Sequence, residues 1–407
     1  MKINTTKTVN ELVTILPYII DNDEGQNNYH SWRVAIIAVL SAKNYLHSKQ
    51  LNSIFYAALL HDIGGIGYHS HIIHYLTQND KESRNILLSH PIIGAQLVSD
   101  IPQLNPIAKI ILDHHEWING QGYPRAKIGK DISIESQILR IADSIDIALQ
   151  ANRTDKSLEE LKKEISLNIT KEYSKDLFIK TLDTLEQNQF FHKISLPDNI
   201  PVLFNAVSEL AGSIPMPAKI DAIGKTLETV AQIIDMKHPF NSGHSLRVCR
   251  YAMAIALTLG LNHDEVTSIR WAGLLHDIGK LTVPRRILDK PTGLTPEEYQ
   301  EVKKHAEQTY KIIGMITTLR GLALMASAHH EHFDGSGYPF GLIKDKIPLE
   351  ARILAICDAF DAMTSNRPYR IPFTFEEACR EIKNFSGKQF DPEIVEYALP
   401  LFKNLGF

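Results

Sequence analysis

The amino-acid sequence predicts an all-α protein made of two tandem helical bundles. Apolar residues recur at spacings of three and four along much of the chain, no segment alternates convincingly between apolar and polar residues, and the second half repeats the first. A chain of 407 residues is long enough for two or three domains, each with a core of its own. The repeat favours two.

The repeat is clearest in the positions of histidine and aspartate. "HD" at 61–62 recurs as "HD" at 276–277, which is 215 positions later, and "GYP" at 122–124 recurs at 337–339 with the same offset. Three more matches keep this offset: His90 with His305, His114 and His115 with His329 and His330, and Asp143 with Asp358. His30 and His244 are 214 positions apart, and beyond the last aspartate the offset becomes 217, so the second copy has two extra residues just after Asp358.

The helices of the second copy are predicted from periodic segments that are separated by Gly, Pro and Asn: 228–236, 246–260, 264–279, 298–316 and 351–365. Residues 332–350 contain too much Gly and Pro for a helix and are expected to form a loop. Residues 196–217 contain a short helix flanked by prolines and are the expected connection between a domain at 1–195 and a domain at 218–407.

Composition excludes several classes of function. A formal net charge of -4 gives no reason to expect binding to DNA or RNA polymers. Three cysteines, each within an apolar helical pattern, make a disulfide framework improbable and fit a reducing cytoplasm. No apolar run approaches the length that spans a bilayer, and the first residues lack the apolar region of a signal peptide, so no membrane partner is expected.

The repeated histidines and aspartates predict metal binding. Ten of the eighteen histidines fall into the two repeated sets of five, and each set comes with two aspartates. Imidazole and carboxylate together suit iron, manganese, nickel or zinc, whereas the absence of cysteine ligands argues against a structural zinc site. Seven ligands are too many for one ion that must also admit substrate, and adjacent helical residues point about 100° apart, so a pair of ions is expected.

The order of these motifs resembles the HD-GYP group of the HD phosphohydrolase superfamily. The motifs are "HSLRV" at 244–248, "HDIGK" at 276–280, His305, "HHEHFDGSGYP" at 329–339 and "CDAFDAMTSNRPYR" at 357–370. The resemblance covers essentially all of 218–407, and a more diverged version covers about 1–195. It implies two tandem HD-type helical-bundle domains, metal centres often containing iron or manganese, and hydrolysis of cyclic dinucleotides.

The resemblance also assigns roles to individual residues. In the C-terminal copy the implied metal ligands are His244, His276, Asp277, His305, His329, His330 and Asp358. In the N-terminal copy they are His30, His61, Asp62, His90, His114, His115 and Asp143, which would hold a second metal pair. Asp277 would bridge the ions and act in catalysis with Lys280, whose ammonium would also bind substrate. Members with a third metal have a glutamate where this chain has Phe240, so two ions are expected.

Substrate recognition is expected near the same centre. A phosphodiester is an anion that repels nucleophiles, so hydrolysis benefits from two cations and from a lysine beside the phosphate. Arg367 and Arg370 offer forked donors for phosphate or a guanine edge, and Gly337, Tyr338 and Pro339 offer backbone groups and an aromatic face for a base.

The N-terminal copy departs from this pattern. Gly65 stands where the other copy has Lys280, and the "RPYR" segment is missing. Loss of a phosphate-binding ammonium, with the metal ligands retained, predicts weak or no hydrolysis and a regulatory or ligand-sensing role.

The expected function is therefore a metal-dependent phosphodiesterase that opens cyclic di-GMP to a linear dinucleotide and then to mononucleotide, with 3',3'-cyclic GMP-AMP as the alternative substrate. Two other readings stay open: a nucleotide phosphomonohydrolase, and a non-catalytic receptor for metal and nucleotide. A homodimer or a signalling partner is compatible with each of these functions.

Overall fold

The protein is described here in a computed structural model. It describes residues 4–21, 29–66, 81–151, 162–163, 166–167, 169–186, 190–216, 220–238, 242–365 and 371–404. Within these ranges the chain is helical, and the β-structure consists of isolated bridges, which confirms the all-α prediction. Among the described residues no helix combines the length and the apolar character needed to cross a bilayer.

Contacts divide the chain into two compact units. The N-terminal unit comprises Val9–Ala218, and the C-terminal unit comprises Lys219–Phe407 together with Met1–Thr8. The helices up to residue 218 are α1 Thr5–Asp21, α2 His30–Ala42, α3 Ser48–Leu60, α4 Lys81–Asp100, α5 Asn105–Leu112, α6 Ile134–Ala151, α7 Lys175–Glu186, α8 Phe190–Ser195 and α9 Ile200–Ala211. Those after it are α10 Ile220–Met236, α11 His244–Thr258, α12 His263–Leu275, α13 Arg285–Leu288, α14 Pro296–Met315, α15 Ala323–Ser327, α16 Leu349–Thr364, α17 Phe375–Asn384 and α18 Pro392–Asn404.

Both units are built around the same three packed helices. In the N-terminal unit α2 packs against α3 and α6, and in the C-terminal unit α11 packs against α12 and α16. Their contact faces are fully buried aliphatic residues, such as Ile36 and Ile54 in one unit and Ile255 and Leu274 in the other. Burial of these side chains provides the main driving force for holding the helices together.

Several helices of the C-terminal unit begin at capping boxes that the sequence encodes. Asn262 accepts hydrogen bonds from the first amides of α12, and Glu265 accepts one from the amide of Asn262. Thr295 and Glu298 do the same for α14. These side chains satisfy amides that have no partner within the helix, so the start of each helix is fixed.

Residues 196–217 contain α9, which packs within the N-terminal unit. Phe204 of α9 stacks on Trp32 with ring centroids 4.0 Å apart and an angle of 10° between the rings, and it also contacts Phe55. The three cysteines, Cys249, Cys357 and Cys379, are free thiols.

Candidate metal centres

The C-terminal unit brings together all seven side chains that the sequence predicts as ligands. They are His244 at the first position of α11, His276 and Asp277 directly after α12, His305 within α14, His329 and His330 in the turn that follows α15, and Asp358 within α16. Helix ends and helix interiors from different parts of the sequence thus converge on one point, which the repeat alone could not show.

These seven side chains form two groups with Asp277 between them. The groups are His244, His276 and Asp358, and His305, His329 and His330, and the ligand atoms of each lie within 4.8 Å of one another. Asp277 Oδ2 lies 3.7 Å from His244 Nε2 and 3.4 Å from His276 Nε2. Asp277 Oδ1 lies 3.5 Å from His305 Nε2 and 3.9 Å from His329 Nε2. One carboxylate oxygen faces each group, as in a carboxylate that bridges two cations.

The orientation of the imidazoles fits metal binding. In His276, His305 and His329, Nδ1 lies 2.6–2.7 Å from the carbonyl oxygen three residues earlier. A carbonyl only accepts, so Nδ1 carries the proton and Nε2 carries the lone pair. These three Nε2 atoms are buried and lack hydrogen-bond partners. Buried lone pairs without partners are costly, and a transition-metal ion bound between them would remove that cost.

Burial also keeps two of these imidazoles neutral. Desolvation lowers the pKa of His305 to about 4 and the pKa of His329 to about 3. A histidine ligates metal only through an unprotonated nitrogen, so a lowered pKa favours binding at neutral pH. Burial also opposes the charge of Asp277, but nearby Lys280 and the histidines hold its pKa well below the ordinary value.

Asp361 positions the histidine that begins α11. Its Oδ2 lies 2.7 Å from His244 Nδ1, and its carboxylate also accepts hydrogen bonds from Arg247 at 2.6 and 3.0 Å. Because Nδ1 contacts Asp361, His244 Nε2 faces the cluster, 3.2 Å from an oxygen of Asp358. Carboxylates that orient metal-binding histidines in this way are common in metal sites.

Gly279 allows the turn after Asp277 to lie directly against α14. A Cβ at this position would be 1.9 Å from the carbonyl oxygen of His305 and 2.7 Å from the amide nitrogen of Thr309. The Thr309 hydroxyl donates to the carbonyl oxygen of His276 at 3.0 Å. Glycine at this turn therefore brings His276 and Asp277 close to His305, and Gly64 has the corresponding close contact with His90 in the other unit.

Lys280 lies beside the cluster as expected. Its Nζ contacts Asp277 Oδ2, and its side chain is 21% exposed. The ammonium is thus at the edge of the centre, where it is both held by the shared carboxylate and open to an anionic ligand.

The "GYP" loop supports the cluster. Glu331 is buried and accepts hydrogen bonds from the amides of Phe340 and Leu342 at 2.6 and 2.9 Å, so it fixes the loop. A Cβ on Gly337 would lie 2.2 Å from the amide nitrogen of His332, which explains glycine at this close approach.

Tyr338, the next residue of that loop, stacks on one of the predicted ligands. Its ring lies 4.9 Å from that of His330 with an angle of 24° between them, and a cis peptide bond joins it to Pro339. The stacking makes Tyr338 a support for His330, and the expected contact with a nucleotide base stays a prediction.

The N-terminal unit repeats the two-group arrangement around Asp62. The groups are His30, His61 and Asp143, and His90, His114 and His115. Asp62 Oδ2 lies 3.5 Å from His30 Nε2 and 3.3 Å from His61 Nε2, while Oδ1 lies 3.5 Å from His90 Nε2 and 3.9 Å from His114 Nε2. Asp146 takes the place of Asp361, with its Oδ2 2.7 Å from His30 Nδ1. Clusters in both units can therefore bind metal.

One charged pair at the N-terminal cluster was not predicted from the sequence. Arg140 lies against His115 and Asp143, and it also pairs with the buried carboxylate of Glu172. The signal was available, since Arg140 is one helical turn before Asp143, but it is not part of the repeat. The predicted substrate contacts Arg367 and Arg370 lie outside the described residues, as do Phe240 and three histidines that are not part of the repeat, His69, His71 and His74.

The HD domain family model matches two segments of the chain, residues 15–177 and 228–394. The chain belongs to the HD domain family. This confirms the family and the tandem arrangement predicted from the motifs, and each segment contains one of the two histidine and aspartate clusters. We call the two copies the N-terminal and the C-terminal HD domain.

Relatives of this HD protein include phosphodiesterases. The 3'3'-cGAMP-specific phosphodiesterase 3 of Vibrio cholerae serotype O1 is 33% identical over 301 residues, which are 74% of this chain and 64% of that protein. A cyclic di-GMP phosphodiesterase of Thermotoga maritima is 41% identical over 187 residues, which are 46% of this chain and 51% of that protein. The chain thus spans about half to two thirds of the length of these two relatives.

A solved structure resembles the whole chain. The crystal structure of a cyclic GMP-AMP specific phosphodiesterase of V. cholerae matches with a TM-score of 0.65 and 25% sequence identity, covering 97% of this chain and 97% of that one. Both HD domains are included in this match.

Proposed function

We propose that this protein is a metal-dependent phosphodiesterase that hydrolyses a cyclic dinucleotide at the C-terminal HD domain. The observation that carries the proposal is the pair of ligand groups that share Asp277, with Lys280 at their edge. Two cations beside one lysine suit a phosphodiester, which must have its negative charge neutralised before a nucleophile can approach.

The bound metal would be a pair of divalent ions, iron or manganese by preference, with nickel or zinc as alternatives. The first group would hold one ion and the second group the other, and Asp277, which lies between the groups, would be available to both. When bound, such a pair supplies positive charge to the phosphate oxygens and lowers the pKa of the attacking water.

The protein's own residues have separate tasks. Asp361 holds His244 in the orientation that directs Nε2 into the centre. Asp277 and Lys280 are the proposed catalytic pair: the carboxylate keeps the ammonium at the edge of the centre, where it can hydrogen-bond a non-bridging phosphate oxygen as negative charge develops. Arg367, Arg370 and the "GYP" loop remain the proposed contacts for the rest of the substrate.

Two cyclic dinucleotides are candidates for the substrate. The motifs first suggest cyclic di-GMP, and the Thermotoga relative that bears this name matches less than half of the chain. The relative that matches 74% of the chain and the structure that matches 97% are both named for cyclic GMP-AMP. Because the structural match includes both HD domains and the sequence match extends over 74% of the chain, we propose 3',3'-cyclic GMP-AMP as the better substrate, with cyclic di-GMP as the second.

The N-terminal HD domain is proposed to bind cations without supporting efficient hydrolysis. It has both ligand groups, so a second metal pair remains part of the proposal, but Gly65 provides no ammonium. A regulatory or ligand-sensing role fits this combination. The three free thiols support a cytoplasmic location.

The test uses the full chain, purified without oxygen and loaded with Fe(II) or Mn(II). Each cyclic dinucleotide and a nucleoside monophosphate are incubated separately, and products are separated by chromatography. A linear dinucleotide from either cyclic substrate supports the proposal. Release of phosphate from the monophosphate alone would make the protein a phosphomonohydrolase, and binding of metal and nucleotide with no product would make it a receptor.

A further inference from the structure

One charged pair at the N-terminal cluster has no counterpart in the C-terminal cluster. With the offset of 215, Arg140 corresponds to Ala355, and with the later offset of 217, Glu172 corresponds to Gln389. The backbone confirms the second match, because the carbonyl of Glu172 accepts from the amide of Ile118 at 3.2 Å and the carbonyl of Gln389 accepts from the amide of Phe333 at 3.1 Å. The N-terminal domain therefore has an arginine and a glutamate where the C-terminal domain has an alanine and a glutamine.

The guanidinium of Arg140 is held between a buried acid and two predicted metal ligands. Nε and Nη2 lie 2.8 and 2.6 Å from Glu172 Oε2. Nη1 lies 3.1 Å from Asp143 Oδ2 and 3.4 Å from His115 Nδ1. The side chain is only 14% exposed, so this arrangement is built into the domain rather than formed at its surface.

These contacts affect the two ligands differently. A neutral imidazole has one lone pair, and a guanidinium can only donate. When His115 Nδ1 accepts from Arg140, the proton is on Nε2, so His115 has no lone pair left for a metal ion. Asp143 uses Oδ2 for Arg140, but its Oδ1 still faces His30 and His61 at 3.7 and 3.9 Å. The group that contains His115 therefore loses a ligand, whereas the group that contains Asp143 keeps all of its ligands.

We propose that Arg140 competes with a metal ion for His115, so that the N-terminal HD domain binds its second cation much more weakly than the C-terminal HD domain does. The positive charge of the guanidinium adds to this effect, since it lies within hydrogen-bond distance of both ligands. The proposal rests on metal binding at the two clusters, as proposed above. It assigns Arg140 and Glu172 as the residues that make the two domains unequal.

The experiment measures metal content, so it does not depend on activity. The full chain with Asp277→Ala removes the shared ligand of the C-terminal cluster and leaves the N-terminal cluster to be counted. After equilibration with Mn(II), elemental analysis is expected to find one ion per chain. Adding Arg140→Ala and Glu172→Gln, which reproduces the alanine and glutamine of the other domain, is expected to raise the count to two. The affinity of the second ion should increase on the order of 10–100-fold.

Two control chains define the outcome. In the first, Glu172→Gln is the only change added to the Asp277→Ala chain; it keeps Arg140 beside His115 and should leave one ion bound. The reverse exchange, Ala355→Arg with Gln389→Glu in the otherwise natural chain, should remove one ion from the C-terminal domain. This reverse exchange tests the same claim if the chain that carries Arg140→Ala and Glu172→Gln does not fold, as judged by circular dichroism.

The possible failures are distinguishable. Two tightly bound ions in the Asp277→Ala chain, unchanged by the exchange at 140 and 172, would overturn the role of Arg140. No transition metal in the natural chain would instead overturn the metal-dependent function proposed above.

Discussion

The two HD domains keep the same cluster but cover it from different sides. In the C-terminal domain Lys280 lies over the shared carboxylate, so the side chain of Asp277 is 2% exposed while that of Asp358 is 17% exposed. In the N-terminal domain the corresponding values are reversed: Asp62 is 11% exposed and Asp143 is 4% exposed. Arg140 covers Asp143 there, and Gly65 leaves Asp62 open. A fixed protein cation is present in both domains, but its position differs.

This difference separates metal binding from substrate access. Judged by their ligands alone, the two domains would be expected to have both properties. The histidines and aspartates are the same in both domains and allow each cluster to bind metal. The fixed cation determines which side of the cluster an anionic substrate can reach and whether a charge is free to meet it. Lys280 has one carboxylate partner, whereas Arg140 is divided between Glu172 and Asp143 and has little capacity left for phosphate.

The largest effect is expected from removing the shared carboxylate. Asp277→Ala deprives both ligand groups of one ligand, so the C-terminal domain should lose metal and the protein should lose hydrolysis altogether. The matched variant, Asp62→Ala, should leave turnover close to that of the natural chain, because the N-terminal cluster does not carry the reaction. Turnover is measured by chromatography and metal by elemental analysis. Equal loss in both variants would show that the two clusters act together.

Removing the ammonium is expected to have the next largest effect. Lys280→Ala should lower kcat on the order of 10²–10³-fold while metal stays bound, because the contact with the developing charge is lost but the ligands are not. His61→Ala serves as the comparison and should leave the protein largely active. Metal loss from the Lys280→Ala chain would mean that the lysine holds Asp277 in place rather than the substrate.

A third comparison concerns the acids that orient the first histidine of each cluster. Asp361→Asn should weaken metal binding in the C-terminal domain on the order of 10–100-fold, because His244 loses its charged partner. Asp146→Asn should have the same effect on the N-terminal cluster through His30. Titration with Mn(II) measures both. An effect confined to Asp361→Asn would mean that His30 does not bind metal.

Most of the fold and the composition of the two clusters could be predicted, because both copies repeat the same helices, histidines and aspartates. The helices follow from apolar periodicity, six of the seven clustered side chains follow from one offset that holds from His61 to Asp143, and His244 follows with an offset of 214. Repetition does not reveal residues in which the two copies differ, which is why Arg140 and Glu172 were not predicted. Burial of single charges is also hard to predict from the sequence: Arg285 is buried and pairs with Asp289, four residues later. The pairing of Arg140 with Glu172, 32 positions later, and the burial of Arg285 both depend on which segments pack together, and a single sequence does not encode that locally.

The smallest effect is a difference in acid stability between the two domains after metal has been removed by a chelator. Burial lowers the pKa of three histidines in each cluster: His90, His114 and His115 in one, and His305, His329 and His330 in the other. For such a histidine, the unfolded chain binds more protons than the folded chain once the pH falls below the ordinary pKa of 6.5. Its contribution to stability is therefore complete above pH 6.5 and is lost as the pH falls toward about 4.

Histidines with raised pKa oppose this loss. Despite burial, hydrogen bonds to Asp358 and Asp361 raise the pKa of His244 to about 10, whereas in the N-terminal cluster the carboxylates raise the pKa of both His30 and His61. The stability contributed by a histidine with a raised pKa is fully present below pH 6.5 and is lost only as the pH rises. The C-terminal domain should therefore lose more stability between pH 7 and pH 5, by about 1 kcal/mol. Hydrogen exchange, followed in α4 and α14 and corrected for the intrinsic exchange rate, measures this difference, and greater loss in α4 would contradict it.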